Sequence, residues 1–213
     1  MTVTVYGYWR SSATWRVRLA LLLKGIPFEV IPVHLVHNEQ LGTEHLERNP
    51  MGQVPAVHID GHMLTQSVAI LEYLEETRPN PALLPTDPTG RASVRQAVEV
   101  INSGIQPLQN LATLRRLQSE YGVERPHWKP WAAHYIRNGF QALETLVAPN
   151  AGQYLWQDQI TFADICLTPQ VYNAHRFGVD MNDFPTLNRA AISAGELHEF
   201  RAAHPDQQPD AQR

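Results

Sequence analysis

Strand-type patterns are confined to the first third of this chain, and that restriction limits the fold more than any other feature of the sequence. A β-branched and aromatic stretch from Val3 to Tyr6 predicts a strand, and Ser12 to Lys24 has the apolar spacing of a helix. Phe28 to Val33 predicts a second strand. A helix between two short strands makes a βαβ unit, so we expect parallel strands and a right-handed crossover.

A hairpin and a further helix are predicted after this unit. Two strands, Ala56–Ile59 and His62–Leu64, are joined by Asp60-Gly61, which is a strong signal for a two-residue hairpin turn. The helical pattern that follows, over residues 68–76, has Ser67 at its expected N-cap. The first part of the chain therefore has the order βαβ and then ββα, with a loop or short helix predicted between them at 34–49.

The remainder of the chain is helical in pattern. Four prolines between Arg78 and Gly90 predict an irregular linker, and therefore a domain boundary. Apolar residues recur with a helical period over 94–108 and 128–146, and further helices are predicted from Thr161 through Cys166 and from Pro185 toward Phe200. We expect an α/β domain at 1–82 and an all-helical domain at 90–213.

Three local signals refine the helical part. Thr161 and Asp164 have the spacing of a capping box, with Asp in place of the usual Glu, at the start of a helix that runs through Cys166. Pro169 should kink that helix or end it early. The polar tail after Phe200 is predicted to be loose.

Charge and cysteine content exclude several classes of function. The 213 residues include 17 Lys and Arg against 21 Asp and Glu, so the net charge of -4 gives no general attraction to nucleic acid or acidic membranes. Cys166 is the only cysteine, which fits a reducing, cytoplasmic location, and it is interpreted as a small buried apolar residue. His58 and His62 have a ligand-like interval but no acidic or cysteine partner nearby, so no metal site is predicted.

Two helix starts in the first domain can hold an anion. Ser11 and Ser12 lie where the first strand pattern gives way to the first helix, with Arg10 beside them. The N-terminus of a helix offers backbone N–H groups and partial positive charge. Gln66 and Ser67 provide the same arrangement at the later helix. Each serine taken alone could be no more than a cap.

Six segments carry a resemblance to a known family: Ser11–Arg18, Asn49–Pro55, Gln66–Ser67, Leu74–Pro79, Gly104–Leu111 and Ala163–Leu167. With these segments the chain resembles the zeta class of glutathione transferases over nearly its whole length. Ser11–Arg18 and Gly104–Leu111 are specific to that class, whereas the Val-Pro and Gln-Ser pairs are shared by many glutathione transferases. The resemblance implies a thioredoxin-like N-terminal domain, an all-helical C-terminal domain and a homodimer.

The resemblance also implies which residues bind glutathione. Ser11, with Ser12, would stabilise the glutathione thiolate, and Gln66 and Ser67 would hold the γ-glutamyl carboxylate. Val54 would pair through its backbone with the cysteinyl part. The sequence itself allows a cis peptide bond at Pro55, and such a bond would turn the Val54 amide and carbonyl outward. The other positions expected to border glutathione are Gln40, near its glycine end, and Gln106, Asn110, Leu111 and Ala112 in the helical domain.

A substrate with two carboxylates would need local cations in an acidic protein. Arg10 and Arg176 are the candidates, because a guanidinium can bind a planar carboxylate through paired hydrogen bonds. Arg16 and Arg18 are interpreted as structural. Ala13 stands where the family usually has Cys, so little thiol-transferase activity is expected.

The activity implied by the resemblance is a glutathione-dependent cis–trans isomerisation. Maleylacetoacetate would be converted to fumarylacetoacetate in tyrosine and phenylalanine catabolism, with glutathione regenerated as a cofactor. Two enzyme alternatives remain open, a maleylpyruvate isomerase and a conjugating or dehalogenating zeta-class transferase. A protein of a different class, a non-catalytic binding protein with the same fold, is the remaining hypothesis.

Overall fold

The structure is a computed structural model that describes residues 3–211 and forms two compact units. The first unit contains the residues up to Ala82 together with the C-terminal residues from Glu196 onward, and the second unit runs from Leu83 to Gly195. The expected extent of the helical domain, 90–213, therefore needs correction at its C-terminal end. Residues 196–211 pack with the N-terminal unit because the last helix contacts the first helix of the chain.

A four-stranded mixed sheet forms the centre of the first unit. Its strand order is β2-β1-β3-β4, and the strands are β1 (Val3–Gly7), β2 (Phe28–Pro32), β3 (Ala56–Ile59) and β4 (His62–Thr65). β1 pairs in parallel with β2 and antiparallel with β3, which confirms the βαβ prediction. β3 and β4 form the predicted hairpin, with Asp60 and Gly61 both at positive φ, as a tight two-residue turn requires.

Within residues 3–211, four α-helices belong to this first unit. They are α1 (Ser12–Leu23), α2 (Thr43–Arg48), α3 (Ser67–Thr77) and, from the C-terminal residues, α10 (His198–Ala203). α1 contacts both α3 and α10 and is buried along most of its length. The ends of α1 and α3 are tied by an ion pair between Lys24 and Glu75 at 2.8 Å, and the Lys24 ammonium also donates to the Arg78 and Pro81 carbonyls.

The second unit is helical. Its helices are α4 (Pro88–Glu99), α5 (Gln106–Gln109), α6 (Leu111–Tyr121), α7 (Trp128–Val147), α8 (Phe162–Phe177) and α9 (Pro185–Gly195). α8 is the central element, since it contacts α4, α7 and α9 and is buried over most of its residues, Cys166 included. Among residues 3–211, no helix combines the length and apolar character needed to cross a lipid bilayer.

The helices of the second unit differ from the prediction at two points. Pro169 lies inside α8, which continues for two more turns to Phe177 instead of ending early. The predicted helix over 94–108 is interrupted by a π-helical turn at Val100–Ile105. Within that turn Ile105 packs so closely on Gly139 of α7 that a Cβ at position 139 would lie 2.3 Å from an Ile105 side-chain carbon.

The chain after Phe200 also differs from the prediction. It is not a loose tail, because a 3₁₀ turn at Pro205–Gln207 follows α10 and Pro205 is buried. The stretch from Pro185 to Phe200, predicted as one helical region, is divided between α9 and α10. Pro88 begins α4 and does not belong to the preceding linker, because Asp87 accepts a hydrogen bond from the Gly90 amide as the N-cap.

The capping box at the start of α8 is present with Asp164 in the predicted place. One Asp164 carboxylate oxygen accepts hydrogen bonds from the Thr161 amide at 2.9 Å and the Thr161 hydroxyl at 3.1 Å. The other oxygen accepts from the Leu155 amide at 2.9 Å. Burial, the largest influence, raises the pKa of the Asp164 carboxyl to about 6, and the three donors oppose that rise.

Replacing Asp164 with Asn should lower the free energy of unfolding by about 1–3 kcal/mol at pH 4, because acceptors for buried N–H groups are lost. The folded-state pKa is raised, so protonated Asp164 favours the folded state, and this contribution declines as the pH rises from about 4 to about 6. Urea unfolding of both proteins across that range should show the difference shrinking. The exposed Asp158→Asn variant is the control, and a difference that grows with pH would contradict the account.

Candidate active site

Ser11 lies in the turn between β1 and α1 and is the N-cap of α1. Its hydroxyl oxygen accepts a hydrogen bond from the Thr14 amide at 3.3 Å, and its own amide donates to the Tyr8 carbonyl at 3.0 Å. The capping bond uses an oxygen lone pair, so the hydroxyl hydrogen can still be donated to a ligand. Ser12 is the first helical residue and is buried, while Ala13 beside it is half-buried.

The loop that leads to Val54 is held by two buried side chains. Asn49 Nδ2 donates to the Gln53 carbonyl at 2.7 Å, and His45 Nε2 lies 2.8 Å from the same oxygen, which identifies this nitrogen as the protonated one. The Val54–Pro55 peptide bond is cis, one of the two isomers that the sequence leaves open for an X-Pro bond. The backbone before Val54 is therefore fixed by side chains from α2 and the start of the loop.

Val54 and the turn before Ser11 share one apolar cluster. The cluster consists of Tyr8, Trp9, Val33 and Val54, all of them buried. Its packing joins the loop that carries Val54 to the turn that ends at Ser11. Close packing of this kind fixes the relative position of two backbone segments.

A second helix N-terminus lies at α3. Gln66 is the N-cap, with φ of 68° and an exposed side chain that makes no bond to the helix, and Ser67 is the first helical residue. The prediction that Ser67 is the cap is therefore wrong by one residue. Ser67 is buried, and its hydroxyl accepts a hydrogen bond from Arg16 Nη1 at 3.2 Å.

Arg16 brings a positive charge to the start of α3. Its side chain comes from α1 and is only 1% exposed. A buried guanidinium and a helix N-terminus both favour a bound carboxylate at this position. An arginine in an otherwise apolar stripe of a helix is the sequence signal that could have pointed to Arg16. Only the fold shows that the Arg16 side chain reaches Ser67.

The remaining candidates of the first unit lie close to Ser11 in the sequence or in a neighbouring loop. Arg10 is half-buried, and its guanidinium carbon lies 5.2 Å from the centre of the Trp9 ring. Gln40 lies in a 3₁₀ turn, Glu39–Leu41, and is buried. His58 and His62 are exposed at the β3–β4 hairpin, and no group of three potential metal ligands occurs within residues 3–211.

The other predicted site residues belong to the second unit. Gln106 begins α5. Asn110 is the N-cap of α6, because its side chain accepts a hydrogen bond from the Ala112 amide at 2.9 Å, and Leu111 is the first residue of that helix. The intervening Gln109 exchanges two hydrogen bonds, of 2.7 and 3.1 Å, with Gln170 of α8. These buried amides fix the start of α6 relative to α8.

Arg176 lies in the last turn of α8, where it is exposed. Its Nη1 donates to the Asn173 side chain at 3.1 Å, and its guanidinium carbon lies 5.4 Å from the Phe177 ring centre. These contacts orient the guanidinium without enclosing it. A carboxylate could therefore still approach Arg176 from the solvent side.

The mixed four-stranded sheet unit and the helical unit have the fold of a glutathione transferase. Residues 1–76 match the family described as glutathione S-transferase, N-terminal domain. The chain is 50% identical to the probable maleylacetoacetate isomerase 2 of Drosophila melanogaster over 208 residues, which are 97% of this chain and 89% of that protein.

Two solved structures show the same likeness in three dimensions. The holo structure of maleyl pyruvate isomerase, a bacterial zeta-class glutathione transferase, has a TM-score of 0.95 at 40% identity over 98% of this chain and 100% of that chain. Maleylacetoacetate isomerase of Anaeromyxobacter dehalogenans, with dicarboxyethyl glutathione and citrate bound in its active site, has a TM-score of 0.89 at 49% identity over 100% and 98%. The chain belongs to the zeta-class glutathione transferases.

Replacing Ser11 with Ala should lower the free energy of unfolding by about 1 kcal/mol, because the Thr14 amide loses its capping partner. Ser12→Ala is the matched control, since Ser12 is inside the helix and its hydroxyl does not cap it. Chemical unfolding of the three proteins measures the difference. Equal losses in both variants would show that the Ser11 hydroxyl has no capping role.

Proposed function

We propose that this protein is a glutathione-dependent isomerase that converts maleylacetoacetate to fumarylacetoacetate. The observation that carries the proposal is the pairing of two anion-favouring helix N-termini in one unit, at Ser11 and at Ser67. At the first of them the Ser11 hydroxyl caps the helix through its oxygen and keeps its hydrogen for a ligand, and at the second the Ser67 hydroxyl accepts from the buried Arg16 guanidinium. The high identity to relatives named as maleylacetoacetate isomerases supports the choice of reaction.

Glutathione fits the chemistry of these positions. Its γ-glutamyl carboxylate would lie at the start of α3, against the Ser67 amide and the charge of Arg16. The backbone of Val54 would pair with its cysteinyl part. When bound, glutathione supplies a thiolate that adds to the maleyl double bond, allows rotation, and leaves once the trans bond reforms.

The task of Ser11 is to favour the ionised sulfur. A thiol with an ordinary pKa near ~8.5 is mostly protonated at neutral pH. A hydroxyl hydrogen donated to sulfur, together with the N-terminus of α1, stabilises the anion and lowers that pKa. Ser12, buried one residue later, supports the same turn.

The carboxylates of the substrate require cations outside the glutathione positions. We assign this role to Arg10 and Arg176, because Arg10 precedes Ser11 and Arg176 is oriented but open to solvent. Gln40, Gln106, Asn110, Leu111 and Ala112 are assigned to the border of the glutathione site by the family resemblance. A homodimer and a cytoplasmic location are expected on the same basis.

Maleylpyruvate isomerisation is the second candidate function, favoured by the likeness to the maleyl pyruvate isomerase structure. Sequence identity is lower to that enzyme, 40% against 49–50% for the two maleylacetoacetate isomerases. A comparison of kcat/KM on both substrates decides between the two reactions. A conjugating transferase would consume glutathione stoichiometrically, whereas an isomerase would leave its concentration unchanged.

Isomerisation of maleylacetoacetate should require glutathione and should fall about 10- to 100-fold in Ser11→Ala, because a hydrogen bond to a charged atom is worth about 1.5–3 kcal/mol. Spectrophotometric rates with and without glutathione measure both effects. Ser12→Ala should lose less activity. A chain that binds no glutathione by calorimetry would instead support the non-catalytic alternative.

Arg176→Ala should raise KM for maleylacetoacetate about tenfold by removing a charge-assisted hydrogen bond to a substrate carboxylate. The KM for glutathione should stay the same, because Arg176 is not assigned to the glutathione site. Arg137→Ala, which removes an exposed arginine of α7, is the matched control. An unchanged KM for the acidic substrate would remove Arg176 from the site.

A further inference from the structure

The C-terminal segment, residues 204–211, packs against the turn that carries Ser11. Asp210 Oδ2 accepts a hydrogen bond from the Trp9 amide at 3.2 Å. The side chain of Ala211 packs against the apolar cluster that includes Trp9 and Val54. The His204 ring meets the Trp15 ring of α1 edge-on, with ring centres 5.2 Å apart. Residues 204–211 thus lie against the turn and the helix that follows it.

The other backbone group of Trp9 is held from α1. Arg18 Nη2 donates to the Trp9 carbonyl at 2.9 Å and to the Ala203 carbonyl at 3.1 Å. Arg18 is 1% exposed, so burial lowers the pKa of its guanidinium to about 10, and the Asp210 carboxylate opposes that fall. Trp9 is therefore fixed at its N–H by Asp210 and at its C=O by Arg18.

These contacts bear directly on where the Ser11 hydroxyl points. Trp9 is two residues before Ser11, and the Tyr8 carbonyl accepts the Ser11 amide, so the turn has few degrees of freedom left. Trp9 and Val54 belong to the same buried cluster, which links the Ser11 turn to the loop assigned to the cysteinyl part of glutathione. A small displacement of a donor weakens a hydrogen bond steeply.

We propose that Asp210 is a positioning residue, which holds Trp9 so that the Ser11 hydroxyl is aimed at the glutathione sulfur. The inference rests on the proposed glutathione chemistry. It adds to that chemistry a residue near the C-terminus that none of the matching family segments contains. The C-terminal segment in this account is part of the catalytic turn's support and is not a passive tail.

A positioning role has a signature that a purely structural role lacks. The carboxylate position at α3 is held by the Arg16–Ser67 contact, in which Asp210 has no part. Binding of glutathione with a protonated thiol should therefore be independent of Asp210. Ionisation of the bound thiol should depend on Asp210, because the thiolate is stabilised by the hydrogen bond from the Ser11 hydroxyl and the direction of that bond depends on the turn that Asp210 holds.

The test is the pKa of the bound glutathione thiol, read from thiolate ultraviolet absorbance across pH in the full-length protein. In Asp210→Ala the pKa should rise by at least about half a unit, which is about a threefold loss of thiolate below the pKa. The rate of isomerisation at neutral pH should fall in proportion. The dissociation constant of glutathione at a pH where the thiol is protonated should not change.

Asp206→Ala is the matched control, because Asp206 lies in the same segment, is exposed, and contacts His204 and not Trp9. Its bound thiol should titrate as in the wild type. Asp210→Glu keeps the negative charge near Arg18 and so protects folding, but its extra methylene displaces the carboxylate. It should raise the thiol pKa by a smaller amount, and it decides the matter if Asp210→Ala does not fold.

Two results would overturn the inference in a wild type that isomerises with glutathione. The first is a thiol pKa and rate in the folded Asp210 variants equal to those of the wild type. The second is an equal change in Asp206→Ala, which would indicate a general effect of the segment. Failure of the proposed function would look different, because the wild type itself would show no glutathione-dependent isomerisation.

Discussion

The chemistry assigned to this protein depends on the N-terminus of α1, where backbone N–H groups and the helix dipole place partial positive charge beside the Ser11 hydroxyl. A helix end of this kind favours an anion without any metal or charged side chain at the point of contact. The Ser11 oxygen is already committed to the Thr14 amide, so the geometry of its remaining hydrogen is restrained before a ligand arrives. A hydrogen-bond donor that is held in place before the ligand binds stabilises a negative charge without a further cost of reorganisation.

α1 also connects this helix end to the other elements of the site. Arg16 reaches Ser67 at the start of α3, and Arg18 reaches the Trp9 carbonyl and the end of α10. Burying two guanidinium groups in one helix costs desolvation energy, which hydrogen bonds offset only in part. The cost is consistent with a helix whose placement serves ligand binding, since apolar residues would pack the same volume more cheaply.

Local signals allowed much of this to be predicted from sequence. The Asp60-Gly61 hairpin and the Thr161–Asp164 capping box depend on residues within a few positions of one another, and both are present. The βαβ order follows from three successive local patterns, and it is also present. Features set by distant contacts could not be predicted in this way. Gln66 takes the N-cap of α3 at positive φ, and the residues after Phe200 pack on α1 because of where the last helix lies. The contact between Arg16 and Ser67 joins residues 51 positions apart, so the local pattern around Arg16 does not reveal it.

The central claim is that the two helix N-termini of the first unit hold one glutathione molecule, with its sulfur at Ser11 and its γ-glutamyl carboxylate at Ser67. A crystal structure of the glutathione complex tests this most directly. We expect the sulfur to lie within hydrogen-bonding distance of Ser11 Oγ and the carboxylate to accept a hydrogen bond from the Ser67 amide. Glutathione bound elsewhere, or with its sulfur turned away from Ser11, would contradict it.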